Sequence, residues 1–413
     1  MKTAKTLIAM LLAAYAAGCH GAVRTGLDDV GSYAHLFQGK RIGIITNHTG
    51  YDNDGRYIVD VFNKMSGVRV TALFSPEHGI RGAAEAGERL EGETDPAGRL
   101  PVYSLYGKTL KPTPEMLKDV DILVFDIQDV GASFYTYTYT MSLAMEAAAE
   151  NGKRFVVLDR PNPINGIAVE GNVLELKYAS FVGLYPIPVR HGMTIGELAK
   201  MFNEQGWLAK GVKADLVVAA MKGWRRTMWY DQTGLAFIKP SPNMTSLETA
   251  VVYPGLCLLE GTNVSEGRGT SMPFLQFGAP WIDAELLAAR LNKLNLAGIQ
   301  FQPISFTPNG SKYEGQKCYG ARIAATQRDV FEPYWAGILI VNEIHHTYPD
   351  AFQWRAGHFD NLCGSAAVRN AITGRSSLEK LKEGWQGPLK SFLQIRKRYL
   401  LYPERIERTT TPA

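Results

Sequence analysis

The chain has 413 residues, of which 46% are hydrophobic and 20% are charged, and its formal net charge is +4. This composition is typical of a globular protein that is long enough for two domains. The positive charge is small and dispersed, which argues against nucleic acid as a partner. The densest basic run, at residues 396–398, is typical of the solvated face of a helix.

The N-terminal residues predict an export signal. Lys2 and Lys5 precede an apolar run at residues 7–17, which is too short to span a bilayer but is typical of a secretory signal peptide. The run ends in Ala16-Ala17-Gly18-Cys19, which resembles the lipobox of bacterial lipoproteins. We therefore assign residues 1–19 to a signal peptide with lipobox and expect a periplasmic protein, anchored to the membrane only if Cys19 is lipidated. A simple signal peptide cut near Ala17 or Gly21 is the alternative.

The first half of the chain alternates strand-like and helix-like segments. Strands are predicted at residues 41–46, 68–74, 122–125, 154–158, 187–189 and 215–219. Helices are predicted at 57–64, 114–118, 139–151 and 194–203, with Thr194 as the N-cap of the last. Short buried strands separated by helices indicate a parallel sheet with helices on both faces. The fold class is therefore α/β, with a Rossmann-like domain over residues 22–238.

The second half is mixed. Helices are predicted at residues 283–294, 333–346, 365–372, 378–382 and 389–399, and strands at 299–306 and 322–325. Pro240 and Pro242 interrupt any regular element near the boundary between the two halves. We expect a smaller mixed α/β domain over residues 239–402, with the active site in the crevice between the domains.

Sequence motifs exclude several classes of enzyme. No Gly-x-Gly-x-x-Gly follows the first strand, so the fold alone does not indicate a dehydrogenase. Nucleophile-elbow, Walker and His-Glu-x-x-His patterns do not occur, and Cys257, Cys318 and Cys363 form no Cys-x-x-Cys pair. We predict neither a cofactor nor a metal site.

Six polar motifs, several of them rich in glycine or proline, stand out, at residues 74–82, 126–131, 159–166, 188–194, 241–244 and 258–270. In this order they resemble the exo-β-N-acetylmuramidases of peptidoglycan recycling, a family long known as a domain of unknown function. The resemblance runs from about Leu27 to about Tyr402. It implies a glycoside hydrolase that removes non-reducing terminal N-acetylmuramic acid from peptidoglycan-derived muramyl saccharides.

A glycosidase usually needs two carboxyl groups, one as general acid and one as base or nucleophile. Glu77 is the leading acid, because it follows a strand end together with His78 and Arg81. Its alternative role is a salt bridge to Arg81. Further candidate carboxylates are Glu170, whose alternative is a surface acid of its loop, and Glu260 and Glu266, whose alternative is binding of sugar hydroxyls. If the 2-acetamido oxygen of the substrate attacks, an orienting Asp replaces the nucleophile.

Muramic acid carries a lactyl carboxylate, which a charge-assisted pair with arginine would recognise. Arg190 is the first candidate, because it precedes a helix N-terminus, and Arg268 is the second. The alternative for Arg190 is a carboxylate at the domain interface. Asp126, Gln128 and Asp129 are expected in the same crevice as Glu77. The predicted substrate-binding residues are His78, Arg81, Asp126, Gln128, Asp129, Tyr135, Asn162, Arg190, His191, Asn243, Asn263, Ser265 and Arg268.

Two rival functions remain at this point. One is a module that binds cell-wall sugars without cleaving them. The several carboxylates expected in one crevice argue against it. The other is a peptidoglycan amidase or esterase, against which the lack of a nucleophile motif argues.

Overall fold

A computed structural model describes residues 22–403, apart from residues 86, 89–94, 96–99 and 375. The signal peptide predicted for residues 1–19 lies outside the described residues. None of the helices in the described part of the chain is long and apolar enough to cross a membrane.

The first half of the chain alternates strands and helices, as predicted. In chain order its elements are β1 (Arg41–Thr46), β2 (Arg69–Ser75), β3 (Val102–Ser104), β4 (Ile122–Asp126), β5 (Arg154–Leu158), β6 (Glu170–Val173), β7 (Pro188–Arg190) and β8 (Asp215–Ala219), with helices α1 (Ala34–Phe37), α2 (Ile58–Asn63), α3 (Tyr137–Glu150) and α4 (Ile195–Glu204). Thr194 caps α4 through a reciprocal capping box with Glu197, which confirms the predicted cap.

Six strands form one sheet in the order β3-β2-β1-β4-β5-β8, and all their pairings are parallel. This is the strand order of a doubly wound Rossmann-type sheet. Every residue of β4 is buried, as expected for a strand covered on both faces. The predicted Rossmann-like fold is confirmed.

Two predictions for this half are wrong. The segment around residues 187–189 does not join the sheet, because β7 pairs antiparallel with β6 in a separate ribbon. Residues 114–118 form hydrogen-bonded turns instead of a helix. A segment this short gains too few hydrogen bonds to offset the entropy of starting a helix.

The second half contains, in chain order, α5 (Leu247–Leu256), β9 (Gln276–Ala279), α6 (Ala284–Lys293), β10 (Ile299–Phe306), β11 (Cys318–Ala325), α7 (Pro333–Thr347), α8 (Ala356–Cys363), α9 (Ala367–Thr373), α10 (Leu378–Gly384) and α11 (Gln386–Arg396). Its antiparallel sheet has the order β10-β11-β9. The predicted smaller mixed domain is confirmed. The elements that were not predicted are α5, α8 and β9 in this half and α1, β3 and β6 in the first half.

One hydrophobic core joins the two halves. It contains Phe125 of β4 and Tyr137 of α3 together with Phe274 and Ile338 from the second half. Within the second half, α5 and α7 approach so closely that a Cβ on Gly337 would overlap the backbone of Gly255. This packing fixes the end of α5, from which the polar loop at residues 258–270 departs.

Candidate active site

Segments from both halves of the chain surround a cavity of about 250 Å³, which we call the inner cavity. The first domain contributes the turn after β2 and the segment before α3, both at the carboxyl edge of the parallel sheet, where such sheets bind ligands. The second domain contributes α5 and the polar loop after it. The lining residues used below are Glu77, His78, Tyr135, Thr136, Asn243, Tyr253, Glu260, Arg268, Phe274 and His358.

Glu77 is held in a fixed orientation at this cavity. The chain turns sharply after β2 through His78, whose φ of 70° is unusual for a residue other than glycine. Backbone outliers of this kind cluster at functional sites. Thr136 Oγ1 donates a hydrogen bond to Glu77 Oε2 at 2.6 Å, and the Gly87 N–H donates to Oε1 at 3.0 Å. The buried carboxyl group is therefore positioned by two donors.

Aromatic rings form one side of the inner cavity. Tyr253 makes edge-to-face contacts with Phe134, Tyr135 and Phe274, at centroid distances of 5.4, 5.9 and 4.9 Å. This geometry is favourable for aromatic pairs. The result is a rigid apolar surface that adjoins the charged side chains, since the guanidinium of Arg268 lies 5.1 Å from the centroid of the Phe274 ring, and it suits a ligand that has both apolar and polar faces.

The other side is a cluster of charged side chains from the loop at residues 258–270 and its neighbours. Arg268 Nη2 donates to Glu260 Oε1 at 2.7 Å, and Arg268 Nε lies 3.2 Å from Glu266 Oε1. Lys312 Nζ lies 3.0 Å from Glu266 Oε2 and also donates to the backbone carbonyls of Leu259 and Val264. His358 Nε2 lies 3.5 Å from Glu260 Oε2. Lys312 thus fixes the loop, and Arg268 links its two carboxylates.

Electrostatics give the members of this cluster different properties. Burial raises the pKa of Glu260, but the charge and hydrogen bonds of Arg268 and His358 outweigh burial and hold the pKa at about 2. Burial lowers the pKa of Lys312, and the adjacent Glu266 opposes this shift. Glu260 is therefore ionised at neutral pH and cannot itself supply a proton there.

The inner cavity opens into an outer cleft of about 1280 Å³. The two spaces share Asn243, Glu260, Arg268 and His358 as lining residues. Further polar side chains of the outer cleft include Thr270, Ser271, Asn309, Lys312 and Arg355. Of the predicted residues, the structure thus brings Glu77, His78, Tyr135, Asn243, Glu260, Glu266 and Arg268 to one connected space.

The structure does not bring Asp126, Gln128 and Asp129 to the lining of this space, contrary to the expectation of a single crevice. Asp126 is fully buried and accepts a hydrogen bond from Arg160 Nη2 at 2.8 Å. Gln128 lines a separate pocket of about 520 Å³ that Arg160 also lines. Burial raises the pKa of Asp129 to about 7, and the Gly131 N–H donates to its Oδ2 at 2.8 Å. The carboxyl edge of the sheet is divided into two spaces.

Glu170 and Arg190 also lie outside the inner cavity and the outer cleft. Arg190 Nη1 donates to Glu170 Oε1 at 2.6 Å, and the Tyr334 N–H of α7 donates to Glu170 Oε2 at 3.3 Å. Arg190 is thus the partner of a carboxylate between the domains, which was the alternative role considered for it. Neighbouring His191 is fully buried, and burial together with three nearby arginines lowers its pKa to about 3.

Four other predicted residues have different surroundings. Asn162 donates to the Met193 carbonyl, Asn263 bridges to the backbone of residues 351 and 353, and the Ser265 hydroxyl accepts from the Gly267 N–H. The Arg81 side chain is exposed. These asparagine and serine side chains satisfy backbone groups of the loops and so set loop shape.

Family models for the N-terminal and C-terminal parts of exo-β-N-acetylmuramidase NamZ match residues 42–248 and 251–402 of this chain. The chain is 50% identical over 382 residues to the peptidoglycan β-N-acetylmuramidase NamZ of Bacillus subtilis strain 168, covering 92% of this chain and 91% of the relative. The chain belongs to the NamZ exo-β-N-acetylmuramidase family. It is accordingly a glycosidase, and the resemblance seen in the six motifs is confirmed.

Two crystal structures of DUF1343 family proteins from Bacteroides fragilis NCTC 9343 share the NamZ fold of this chain. One has a TM-score of 0.85 at 40% identity and covers 92% of this chain and 99% of its own. The other has a TM-score of 0.74 at 32% identity and covers 93% and 100%. The similarity extends over both domains, so the two-domain fold is not particular to this chain.

Several lining residues of this NamZ family member were not predicted as site residues. Thr136, Tyr253 and Phe274 are single residues of common type outside the polar motifs that drew attention, and Lys312 lies in a loop without a motif. His358 lies outside the six motifs and has no metal-binding spacing. The signal that identifies these residues is proximity in space to Glu77 and Glu260.

Proposed function

We propose that this protein is an exo-acting hydrolase that releases non-reducing terminal N-acetylmuramic acid from MurNAc-β-1,4-GlcNAc fragments during cell-wall recycling. The observation that carries the proposal is the placement of Glu77 and the Glu260–Arg268 pair on one small cavity between the domains of a NamZ family member. The name of the Bacillus subtilis relative supports the substrate class. A small inner cavity with a wide outer cleft suits one terminal sugar in the cavity and the leaving sugar in the cleft.

In this proposal Glu77 is the general acid. Its carboxyl group is buried and is oriented by Thr136 and Gly87, so it has a defined direction toward a glycosidic oxygen in the cavity. Glu260 is the anionic partner, because Arg268 and His358 keep it ionised. A permanent carboxylate stabilises the positive charge that develops at the anomeric carbon in the transition state. Glu266, buried between Arg268 and Lys312, positions the pair.

Arg268 is also the proposed partner of the lactyl carboxylate. Arg268 lines both the inner cavity and the outer cleft, whereas Arg190 lines neither. A guanidinium has five N–H donors, of which Glu260 and Glu266 engage the Nε and Nη2 side. The Nη1 group is then the donor for a substrate carboxylate.

We also propose that the protein is exported through its N-terminal signal and carries lipid on Cys19. The basic residues, the apolar run and the small residues before Cys19 support this proposal. Mass spectrometry of the mature protein from its native host should find an acylated N-terminus at Cys19. Intact Met1 protein in the cytoplasm would contradict it.

The catalytic test is release of N-acetylmuramic acid from the disaccharide MurNAc-β-1,4-GlcNAc, followed by mass spectrometry. Glu77→Gln keeps the shape of the side chain but removes the acid, so turnover should fall about a hundredfold or more. The loss should shrink on a nitrophenyl glycoside, whose leaving group needs little protonation. Glu115→Gln is the matched control, since the same change is made on an exposed side chain outside the cavity and the cleft, and this variant should keep its turnover.

Each outcome has a distinct meaning. Absence of muramic acid release by the unmodified protein would overturn the proposed function. Near-normal turnover by Glu77→Gln on the disaccharide would overturn only the role of Glu77, and Glu260→Gln would then be tested next.

A further inference from the structure

A groove with aromatic side chains lies on the C-terminal domain, outside the candidate active site. We call it the aromatic groove and define it by Trp281, Ile304, Ser305, Tyr319 and Tyr348, which line a space of about 660 Å³. Neither the proposed acid nor the charged cluster belongs to it. Its residues come from β10, β11, the end of α7 at Tyr348 and the turn after β9.

The sheet register explains why an aromatic ring is exposed here. Tyr319 lies on the central strand β11, opposite Ser305 of β10 and Ala279 of β9. Side chains at paired positions share one face of a sheet. The two small neighbours cannot cover the ring, and Tyr319 remains 38% exposed. Lys317 Nζ lies 5.3 Å from the centroid of the ring.

Trp281 forms a fixed side of the groove. Its ring lies 5.5 Å from that of Tyr348 in an edge-to-face contact, and its Nε1–H donates to Tyr313 OH at 3.2 Å. Tyr348 OH in turn accepts a hydrogen bond from the Asp283 N–H at 3.0 Å. These contacts hold the aromatic rings in place, so binding a ligand would cost little ordering of side chains.

The aromatic groove is continuous with the active site. Ile304 and Ser305 line both the groove and the outer cleft. The outer cleft in turn shares Asn243 and Arg268 with the inner cavity. The inner cavity, the outer cleft and the aromatic groove therefore adjoin one another, and one extended ligand can occupy all three. With about 1280 Å³ in the cleft and about 660 Å³ in the groove, this continuous space has room for several sugars beyond the terminal one.

We propose that the aromatic groove binds the glycan chain on the leaving-group side of the scissile bond, so that long glycan strands are better substrates than the disaccharide. This rests on the proposed function. Aromatic rings combine an apolar face with a polar tip, which matches the apolar face and hydroxyl rim of a pyranose. The N-acetylglucosamine units of an extended chain are uncharged and fit these rings, whereas the exposed carboxylates of Asp283 and Glu285, which also line the groove, disfavour a lactyl carboxylate beside them. The groove adjoins the site where the chain is cut.

The test compares kcat/KM for muramic acid release from peptide-free disaccharide, tetrasaccharide and hexasaccharide that end in N-acetylmuramic acid. The unmodified protein should prefer the hexasaccharide. Tyr319→Ala should lower kcat/KM on the hexasaccharide about three- to tenfold, the size of one aromatic contact, and lower it less on the disaccharide. Because Tyr319 is exposed, this variant should fold, whereas Trp281→Ala also removes contacts to Tyr348 and Tyr313.

Tyr51→Ala is the matched control. Tyr51 is 39% exposed, almost the same as Tyr319, but it follows β1 and lies outside the lining of the groove and of the cleft. It should leave the preference for long chains unchanged. Equal kcat/KM of the unmodified protein on all chain lengths, or an equal loss by Tyr319→Ala on all of them, would overturn the proposal.

A binding measurement separates this proposal from the proposed function. Calorimetric titration of Glu77→Gln with the hexasaccharide needs no turnover, and Tyr319→Ala in that background should weaken binding. If the unmodified protein releases no muramic acid, the proposed function fails, and the titration alone decides the groove. Unchanged affinity after Tyr319→Ala would then overturn the groove as a glycan site.

Discussion

Two sets of arginine–carboxylate pairs in this molecule differ in their surroundings. At the cavity, half-buried Arg268 is shared by Glu260 and Glu266. Away from the cavity, Arg190 with Glu170 and Arg226 with Glu197 are sealed in the interior, each pair at 2.6 Å.

The two sealed pairs connect segments that are distant in the chain. Glu170 also accepts from the Tyr334 N–H of α7, and Glu197 accepts from the Leu401 N–H near the C-terminus. Both oxygens of each buried carboxylate thus accept hydrogen bonds from the protein, because an unpaired buried charge would be costly. The cavity cluster keeps a guanidinium and a carboxylate in contact with space that a ligand can fill. The comparison separates charges that serve structure from charges that serve recognition.

The largest expected effect concerns the sealed region. Arg190→Ala leaves the Glu170 carboxylate buried without its partner, so the free energy of unfolding should fall by about 3 to 5 kcal/mol. Urea denaturation measures this loss, and Arg268→Ala is the matched control that should be less destabilising. Wild-type stability of Arg190→Ala together with altered sugar preference would show that Arg190, not Arg268, serves recognition.

The second prediction concerns the cavity region. Arg268→Ala removes the proposed partner of the lactyl carboxylate. The transition state on muramic acid substrates should therefore lose about 2 to 4 kcal/mol of stabilisation, which is a fall in kcat/KM of roughly 30- to 1000-fold. A matched glycoside that ends in N-acetylglucosamine has no such carboxylate and should lose less. Arg268→Lys keeps the charge but not the planar fork and should recover only part of the loss. An unchanged ratio between the two sugars would reject Arg268 as the discriminating group.

Sequence patterns were sufficient for most of the framework. Apolar runs gave the exact bounds of β1, β5, β8 and β10, because strands buried on one or both faces carry a strong hydrophobic signal. The ribbon of β6 and β7 was not predicted, because strands of three or four residues are too short to show the alternation of apolar and polar residues that identifies a strand. Glu77 was placed correctly at the carboxyl edge of the sheet from its position after a strand alone.

The division between sealed and cavity charges could not be predicted. Arg190 and Arg268 both lie in polar motifs beside glycine, and local sequence does not record which one the second domain covers. Burial is decided by residues distant in the chain, such as Tyr334 of α7 against Glu170. The hydrogen bond between Thr136 and Glu77 could not be predicted either, because the two residues are 59 positions apart in the chain.

The third prediction uses pH to contrast the two regions. The pKa of Glu260 is held at about 2, whereas its ordinary value is 4.5. The contribution of its carboxylate to the free energy of unfolding is therefore complete above pH 4.5 and is lost as the pH falls toward 2. Burial raises the pKa of Asp129 from 3.8 to about 7, so its contribution is complete below pH 3.8 and is lost as the pH rises through 7.

The unmodified protein should lose stability at acid pH as Glu260 is protonated, and Glu260→Gln should abolish that loss. The unmodified protein should also lose stability toward neutral pH as Asp129 ionises, and Asp129→Asn should abolish that loss. Each group changes the slope of unfolding free energy by at most about 1.4 kcal/mol per pH unit. Urea denaturation between pH 3 and pH 8 measures both slopes. If Asp129→Asn ran parallel to the unmodified protein between pH 4 and pH 7, Asp129 would not be a sealed protonated group.

The smallest expected effect tests how the cavity wall positions the acid. Thr136→Val keeps the shape of the side chain but removes the hydroxyl that donates to Glu77 at 2.6 Å, so kcat should fall about five- to tenfold, the worth of one hydrogen bond. KM should stay constant, because Thr136 acts on the carboxyl group of Glu77. Thr136→Ser restores the donor and should restore kcat. On a nitrophenyl glycoside the loss should nearly disappear, since that leaving group needs no acid, whereas a merely destabilised cavity would lose rate on both substrates alike. An equal loss on both would place Thr136 with the sealed residues that support the fold.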